Sequence, residues 1–527
     1  MKRLILCTLA GCALGAWPIF AAVTNITQGG AVHATIQGAV NAAVNGDTLL
    51  IGVGHYGELV TINQKSLILK GGYLPNFVTR TNVPSLTCIN GGGGGVALAV
   101  LTNCTVVLEY VMITNGASVT GGGIRVDAGA TLTAQYCIVA QNTAWVGGGA
   151  AVGTASTLVL SDTSVSNNLA LGGGGLHVAS NGVAIINGTT RVQRNWAAVL
   201  GGGAYVEGTL IGASWSASIE YNMATDGGGV AVNAGLLDLS PGHVSYNQAT
   251  NITGRGGGVY VYNGGRAMVT GSGNVYRNRA YNGGGIYADK AQVELRAVLH
   301  GNSASNFGGG ICLVNGSALS ATTTVIGDTL AARTNYARYG GGIYALTSSV
   351  VFSGTIYNNH AGISGGGMYT EASTVMVYNA RVGGVAAYQA NLLGPNGNVG
   401  AGLYLSGTDA IISNTVIASN VFQTTGFTYG GGMYIAGGSS VRLIDSRIEH
   451  HLAPSAVDGR GAGMYVSASA VTLDNSQIIS NTAGTTGGGA RLWTNGRFSL
   501  QNGSVVAHNH ALGGPGGGIA CGALFAI

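Results

Sequence analysis

The sequence predicts an all-β fold: a right-handed, single-stranded parallel β-helix, a solenoid of about 15–18 coils with a short N-terminal capping helix. Three observations carry this. Glycine supplies 94 of 527 residues, against an ordinary share of ~7%. A glycine triplet followed by an aliphatic, a variable residue and another aliphatic recurs fifteen times. Its first glycines are 121, 147, 173, 201, 227, 256, 283, 308, 340, 365, 400, 430, 461, 487 and 516, with Ala in the middle of the triplets at 400 and 461. Finally, hydrophobic residues reach 46% and charged residues only 8%, with a mean hydropathy of +0.33. Such a composition has the reverse of a disordered chain's signature. It also lacks the strict glycine period and the proline content of collagen.

The elements follow in chain order. Residues 1–22 read as an export leader: Lys2-Arg3, an apolar stretch from Leu4 to Ala16, then small residues at Ala21-Ala22. Leu9-Ala10-Gly11-Cys12 also has the form of a bacterial lipobox, which offers Cys12 as a lipid anchor. Beyond residue 22 no apolar run approaches the ~18 residues of a membrane helix, so no transmembrane helix is expected. Residues 23–120 form the N-terminal cap and first coils. Within them Ile36, Ala39, Val40 and Ala43 share one face at helical spacing, ended by Gly46, as a plug for the open end of a solenoid requires.

Residues 121–527 are the glycine-rich repeats. In Gly283-Gly284-Gly285-Ile286-Tyr287-Ala288, Ile286 and Ala288 face one way and Tyr287 the other. A second alternating stretch follows, such as Val293-Glu294-Leu295, and a third short segment ends near an Asn. Three short strands per repeat make one coil. Coils stack strand on strand at about 4.8 Å, so equivalent residues form columns. The recurrent Asn (142, 195, 222, 247, 278, 302, 335, 359, 481 and 509) is predicted to form a side-chain amide ladder at a bend. Recurrence argues against catalysis, which needs one site where a ladder needs many.

Charge and cysteine usage narrow the partners. The net charge is +4, and only Lys65, Lys70 and Lys290 remain among lysines beyond the leader. A nucleic-acid binder concentrates basic residues on one face, and this chain does not. Cys88, Cys104, Cys137, Cys312 and Cys521 follow the leader, an odd number at irregular spacing that fits neither a disulfide framework nor a zinc site. Cys88 and Cys104 offer one pairing; the others read as buried small hydrophobes.

Residues 35–73, with Thr35-Ile36-Gln37 leading into Gly46-Asp47-Thr48, resemble the opening coil of β-helix proteins of the pectate-lyase-like superfamily. The array from 121 to 519 is similar to the repeats of polymorphic outer membrane proteins and related bacterial surface β-helices. The resemblance covers nearly the whole chain beyond the leader. It implies a fold more than a function, because solenoids host many activities. Relatives of the second kind end in a translocator barrel, whereas this sequence stops at Ile527 inside a repeat, so attachment by its own barrel is not expected.

The resemblance to pectate lyases implies calcium held by clustered carboxylates beside an Arg or Lys base. Arg277 and Arg279 are the arginines considered for that base. Asp127, Glu207, Asp289 and Glu371 share one repeat position three coils apart. That is roughly 14 Å, beyond the ~5–10 Å of a carboxylate pair. The closest local cluster is Asp445, Glu449, His450 and His451, followed by Asp458, a weak candidate for catalysis or metal binding. His508-Asn509-His510 carries no nearby acid. No metal site and no cofactor are expected, calcium entering only with the lyase alternative. Nucleotide loops, nucleophile elbows and zinc motifs are absent.

The most informative outer column is aromatic. Four residues after the first glycine stand Tyr205, Tyr260, Tyr287, Tyr344, Tyr369, Tyr404, Tyr434 and Tyr465. The last five fall on consecutive coils and predict an outward stripe, either a stiffening ladder or a binding surface. The functional expectation is an exported protein, extracellular or at the outer membrane or cell surface of a bacterium. Its role is adhesin-like or envelope binding without catalysis, toward a surface glycan or a host or envelope protein. The alternatives are a lyase or hydrolase acting on acidic polysaccharide, and a structural spacer.

Overall fold

Strand alternation sorts each repeat into an inside and an outside. In Ile286–Asp289, Ile286 and Ala288 are completely buried, and Tyr287 projects from the opposite face. The computed structural model describes residues 21–271, 273–330, 333–384, 389–424 and 426–522. Residues 1–20, which hold most of the expected leader and Cys12, lie outside them. The protein is an all-β parallel solenoid of about 16 turns.

Three sheets run along its length. The first stacks the strands that follow each glycine triplet, from Val60–Ile62 to Ile519–Cys521. The second takes two segments per coil, such as Gln292–Leu295 and Val298–His300. These fuse into one strand in Ala318–Ile326, Ser349–Ile356 and Thr374–Gly383. The third sheet, from Ala117–Thr120 to Val421–Phe422, uses the residues just before each triplet, such as Ser303–Phe307. Three strands per coil were expected, and typical coils carry four. The extra strand escapes sequence reading because it buries little more than one small residue: Ala144, Ala170, Ala197, Ala224, Ala249, Ala280 and Ala304 in successive examples. One alanine flanked by polar residues leaves no hydrophobic period.

In the first sheet the register between coils is parallel and residue for residue, as in Ile286↔Ile311 and Tyr287↔Cys312. The other two sheets carry occasional shifts, and the N-terminal strand Val23–Asn25 pairs antiparallel. One aliphatic cluster therefore fills the interior from Val23 to Leu492. At its N-terminal end the helix Ile36–Ala42 buries Ile36, Ala39 and Val40, as expected. Thr35 Oγ1 accepts from Gly38 N at 3.0 Å. The Glu58 carboxylate accepts from Ile36 N and Gln37 N at 2.8 and 2.9 Å, where an anion suits the helix start. Among the described residues no helix is long and apolar enough to cross a membrane. The suggested Cys88–Cys104 disulfide does not form. Both are free thiols, Cys137 and Cys312 are buried as expected, and Cys521 is exposed. Cys137 belongs instead to a corner column of small polar residues, its N–H donating to Thr163 Oγ1 at 3.2 Å.

The glycine triplets occur where one coil's backbone crosses close to the next. Gly283 has φ 64°, and a Cβ there would lie 2.6 Å from Ile286 O and 2.7 Å from Tyr287 Cβ of its own coil, while one on Gly284 would lie 2.6 Å from Gly309 O of the next. Gly264 has φ 80° with open space around it. Gly283→Ala is therefore expected to cost roughly 2–4 kcal/mol in urea unfolding, the left-handed penalty plus the clash. Gly264→Ala carries only the ~1–2 kcal/mol penalty. Equal losses in the two variants would remove close packing as the reason for the triplet.

Candidate functional site

The tyrosine column is an ordered aromatic array on the outer face of the first sheet. Parallel pairing sets Tyr344, Tyr369, Tyr404, Tyr434 and Tyr465 directly above one another. Their ring centroids are 5.1, 4.4, 5.2 and 5.3 Å apart, with interplanar angles of 12°, 6°, 7° and 4°. Coil rise alone brings the rings to stacking distance. Toward the N-terminus Cys312 breaks the column between Tyr287 and Tyr344. Phe307, from the third sheet, fills the gap by stacking on Tyr344 at 4.4 Å.

The stripe faces outward as expected, yet it is less open than its position suggests. Tyr344 and Tyr465 are each only 5% exposed, while Tyr369, Tyr404 and Tyr434 are half-buried. Phe307, Tyr339 and Tyr429 lean over it from the neighbouring sheet, with Tyr339–Tyr369 at 5.7 Å and Tyr429–Tyr465 at 5.0 Å. Ring faces are thus spent on one another, which leaves edges and hydroxyls for a partner. Burial raises the phenol pKa values, Tyr434 to about 12, and those of Tyr404 and Tyr465 also upward. At neutral pH these hydroxyls are neutral and able to donate.

Charged groups line both ends of the aromatic face. Toward the N-terminus Glu207 accepts from Tyr205 Oη at 3.0 Å and lies 3.4 Å from His177 Nε2, and Asn233 Nδ2 donates to Tyr205 Oη at 3.1 Å. Further along, Arg255 bridges Tyr260 Oη at 3.0 Å and Asp226 at 3.1 Å. At the C-terminal end Asp458 joins Arg460 and the Tyr429 hydroxyl. Arg460 and Arg491 lie over the Trp493 ring at 5.6 and 5.1 Å. Sequence reading missed these networks because each is completed from a neighbouring coil, by His177 and Asn233 at Glu207, Asp226 at Arg255 and Tyr429 at Asp458. The shared position of Glu207 with Asp127, Asp289 and Glu371 showed only that these acids are too far apart to pair with one another.

The acid–histidine cluster is dispersed by the same alternation that orders the tyrosines. Asp445 sits at a corner with φ 49°, in a column with Asn414 and Asn475, and accepts from Asn475 Nδ2 at 2.6 Å. Asn and Asp tolerate that left-handed conformation best, which accounts for their recurrence there. Glu449 pairs with Arg447 at 2.7 Å. His450 is an exposed bend residue with φ 57°, at a position held by Arg194, Tyr221 and Arg277 in other coils. His451 is turned inward and 1% exposed. Its Nδ1 accepts from Asn420 N at 3.2 Å, and its Nε2 donates to Ile417 O at 3.0 Å.

His451 stands in the asparagine ladder, which is present and longer than the motif indicated. From Asn142 each Nδ2 donates to Oδ1 of the next rung at 2.9–3.1 Å, through Asn168, Asn195, Asn222, Asn247, Asn278, Asn302, Asn335, Asn359 and Asn391 to Asn420. His451 follows, then Asn481 and Asn509. Arg277, considered beside the lyase resemblance, stacks on Tyr246 at 5.4 Å, and Arg279 is exposed on the third sheet. A depression of about 510 Å³ on the second sheet is lined by Val351, Met376, Ile411, Arg442 and their neighbours, with Asp409 and Arg442 as its charges. Among the described residues no group of three or more His, Cys, Asp or Glu is placed to hold a metal ion. The fold defines the class, a parallel β-solenoid with a stacked-tyrosine face. The chain matches no protein-family model and no curated protein.

Proposed function

We propose that the protein is an exported, non-catalytic binding protein of the bacterial surface or its surroundings, adhesin-like, whose tyrosine face contacts a surface glycan or a host or envelope protein. One observation carries this reading: five stacked tyrosines on consecutive coils, held at 4.4–5.3 Å. Rings fixed by one another lose little freedom when a partner arrives, which lowers the entropic cost of association. Their hydroxyls repeat along the axis at the coil spacing, and at one end Arg491 adds positive charge beside the Arg460–Asp458 pair. An extended, hydroxyl-rich or acidic polymer laid along the axis suits that arrangement. The resemblance to polymorphic outer membrane repeats and the leader of residues 1–22 support a role outside the cytoplasm.

Tyr404, Tyr434 and Tyr465 together provide the test. Replacing all three by Phe keeps the stack and removes the hydroxyls. Adhesion to cells or arrayed glycans should fall at least about tenfold, the loss of one or two hydrogen bonds, with Tm retained. Replacing them by Ser removes three stacked contacts, each ~0.5–1.5 kcal/mol, and should lower Tm as well. Full adhesion in both variants would leave the column with a stiffening role only. Incubation with polygalacturonate, alginate or chondroitin, with and without calcium, should give no ultraviolet absorbance from new unsaturated sugar ends. Calcium-dependent growth of that signal would replace the binding reading by a lyase.

A further inference from the structure

We propose that a second copy of this chain docks, antiparallel, on the outer face of the third sheet between residues 117 and 225, forming a two-fold homodimer. This goes beyond the tyrosine face and does not depend on it. Short strands there project large apolar side chains into solvent: Trp145 is 64% exposed, Leu171 50%, Trp196 45% and Leu169 40%. Val119, Val199 and Met223 extend the patch at 59%, 49% and 41%. These seven side chains expose roughly 700 Å² of apolar surface, given ~150–250 Å² for each aromatic. That exceeds the ~300–600 Å² of the largest patch on an ordinary monomer. It comes close to the ~800 Å² per partner of a stable interface.

The pattern within the patch selects the occupant. Register aligns Thr143, Leu169, Trp196 and Met223 in one column. Val119, Trp145, Leu171 and Val199 lie beside them in a second, with a register shift opposite Ala170–Gly172 that accommodates Val199. Facing sheets related by a two-fold must have the axis in the plane between them. With the axis along the strand Leu169–Gly172, Trp145 meets Val199 of the second copy and Trp196 meets its Thr143, large against small each time. Leu169 and Leu171 meet their own equivalents at the centre. The strands 117–120, 143–146, 169–172, 196–200 and 223–224 contain no Lys, Arg, Asp or Glu. The patch therefore carries no like-charge repulsion between copies, and it lacks the basic residues by which an anionic lipid surface attracts a protein.

Light scattering after gel filtration, and sedimentation equilibrium, test this on the full chain at tens of micromolar. The expected species is a dimer. Trp145→Glu, at an exposed position that leaves the core intact, should raise the dimer Kd about thirtyfold or more, as for a tryptophan hot spot. Adding Val199→Lys to that variant should restore association, because the two positions face each other only across the proposed axis. Leu171→Cys in a Cys521→Ser background should cross-link to a covalent dimer on oxidation, while Val119→Cys in the same background should not. A monomeric wild type, or a dimer indifferent to Trp145→Glu, would overturn the proposal. So would a wild type that stays monomeric while co-sedimenting with phosphatidylcholine or phosphatidylserine vesicles, which would make the patch a lipid surface.

Discussion

Asn278→Asp is expected to lower the unfolding free energy by about 3–5 kcal/mol, although it changes one amide nitrogen to oxygen and no volume. Asn278 is 1% exposed in the middle of the ladder. Its Oδ1 accepts from Asn247 N at 3.0 Å and from Asn247 Nδ2 at 3.1 Å, contacts that a carboxyl oxygen can keep. Its Nδ2 donates to Val244 O at 3.0 Å and Asn302 Oδ1 at 3.1 Å. An oxygen in that place confronts two acceptors. A neutral carboxyl has one O–H for two acceptors, and an ionised one has none and is buried as a charge. The deficit should therefore grow as pH rises, because the buried carboxyl resists ionisation while the unfolded one does not. Urea unfolding at pH 5 and pH 8, followed by circular dichroism, reads both effects. A variant within 1 kcal/mol of the parent at both pH values would mean that the rungs do not depend on their donor direction.

His451 should make the solenoid acid-labile through a single rung. Burial pushes its pKa down to about 4 from the ordinary 6.5. The neutral ring fits its place because Nδ1 accepts from Asn420 N while Nε2 donates to Ile417 O. A proton on Nδ1 would abolish the first contact. Above pH ~6.5 the ring is neutral in both folded and unfolded chains, and its full contribution to stability is present. As pH falls below that value the unfolded chain takes up the proton and the folded chain does not. Stability drops until the folded group also titrates near pH 4, a total of roughly 3 kcal/mol. His177, His243, His300 and His360 are also lowered by burial and act in the same direction. His451→Asn isolates the rung, since an amide there also supplies the missing acceptor for Asn420 Nδ2, which now donates only to Val382 O at 3.3 Å. The variant should match or exceed the parent at pH 7 and lose distinctly less stability on going to pH 4.5. Parallel pH profiles would place the acid sensitivity elsewhere.

Reading the chain without its structure recovers whatever repeats at a fixed distance from the glycine triplet. Ile286, Ala288 and Tyr287 take their sides from period two, and the five tyrosines and most asparagines follow from counting. What fails is whatever depends on neighbours in other coils. Asp445, Glu449, His450 and His451 look like one group because they are adjacent in sequence, yet a bend and strand alternation give them separate surroundings. His451 escapes recognition as a rung because its ring replaces an amide. The third-sheet strand around Ala304 has too small a buried residue to signal itself. Trp145 and Trp196 belong to no obvious motif, so only their exposure shows that they share a face.

The coil-to-coil register has an implication for how such a chain changes over time. Each turn packs chiefly against the turns before and after it, so stability is nearly a sum of local terms and neighbouring interfaces. Gain or loss of one whole turn leaves the types of interface intact and alters only reach, by about 4.8 Å in a rod of roughly 75 Å. The spacing of 25 to 35 residues between glycine triplets shows where further novelty is accommodated, because extra residues leave at corners while the stacked columns continue. Reach and decoration can therefore drift independently, and neither requires the interior to be rebuilt.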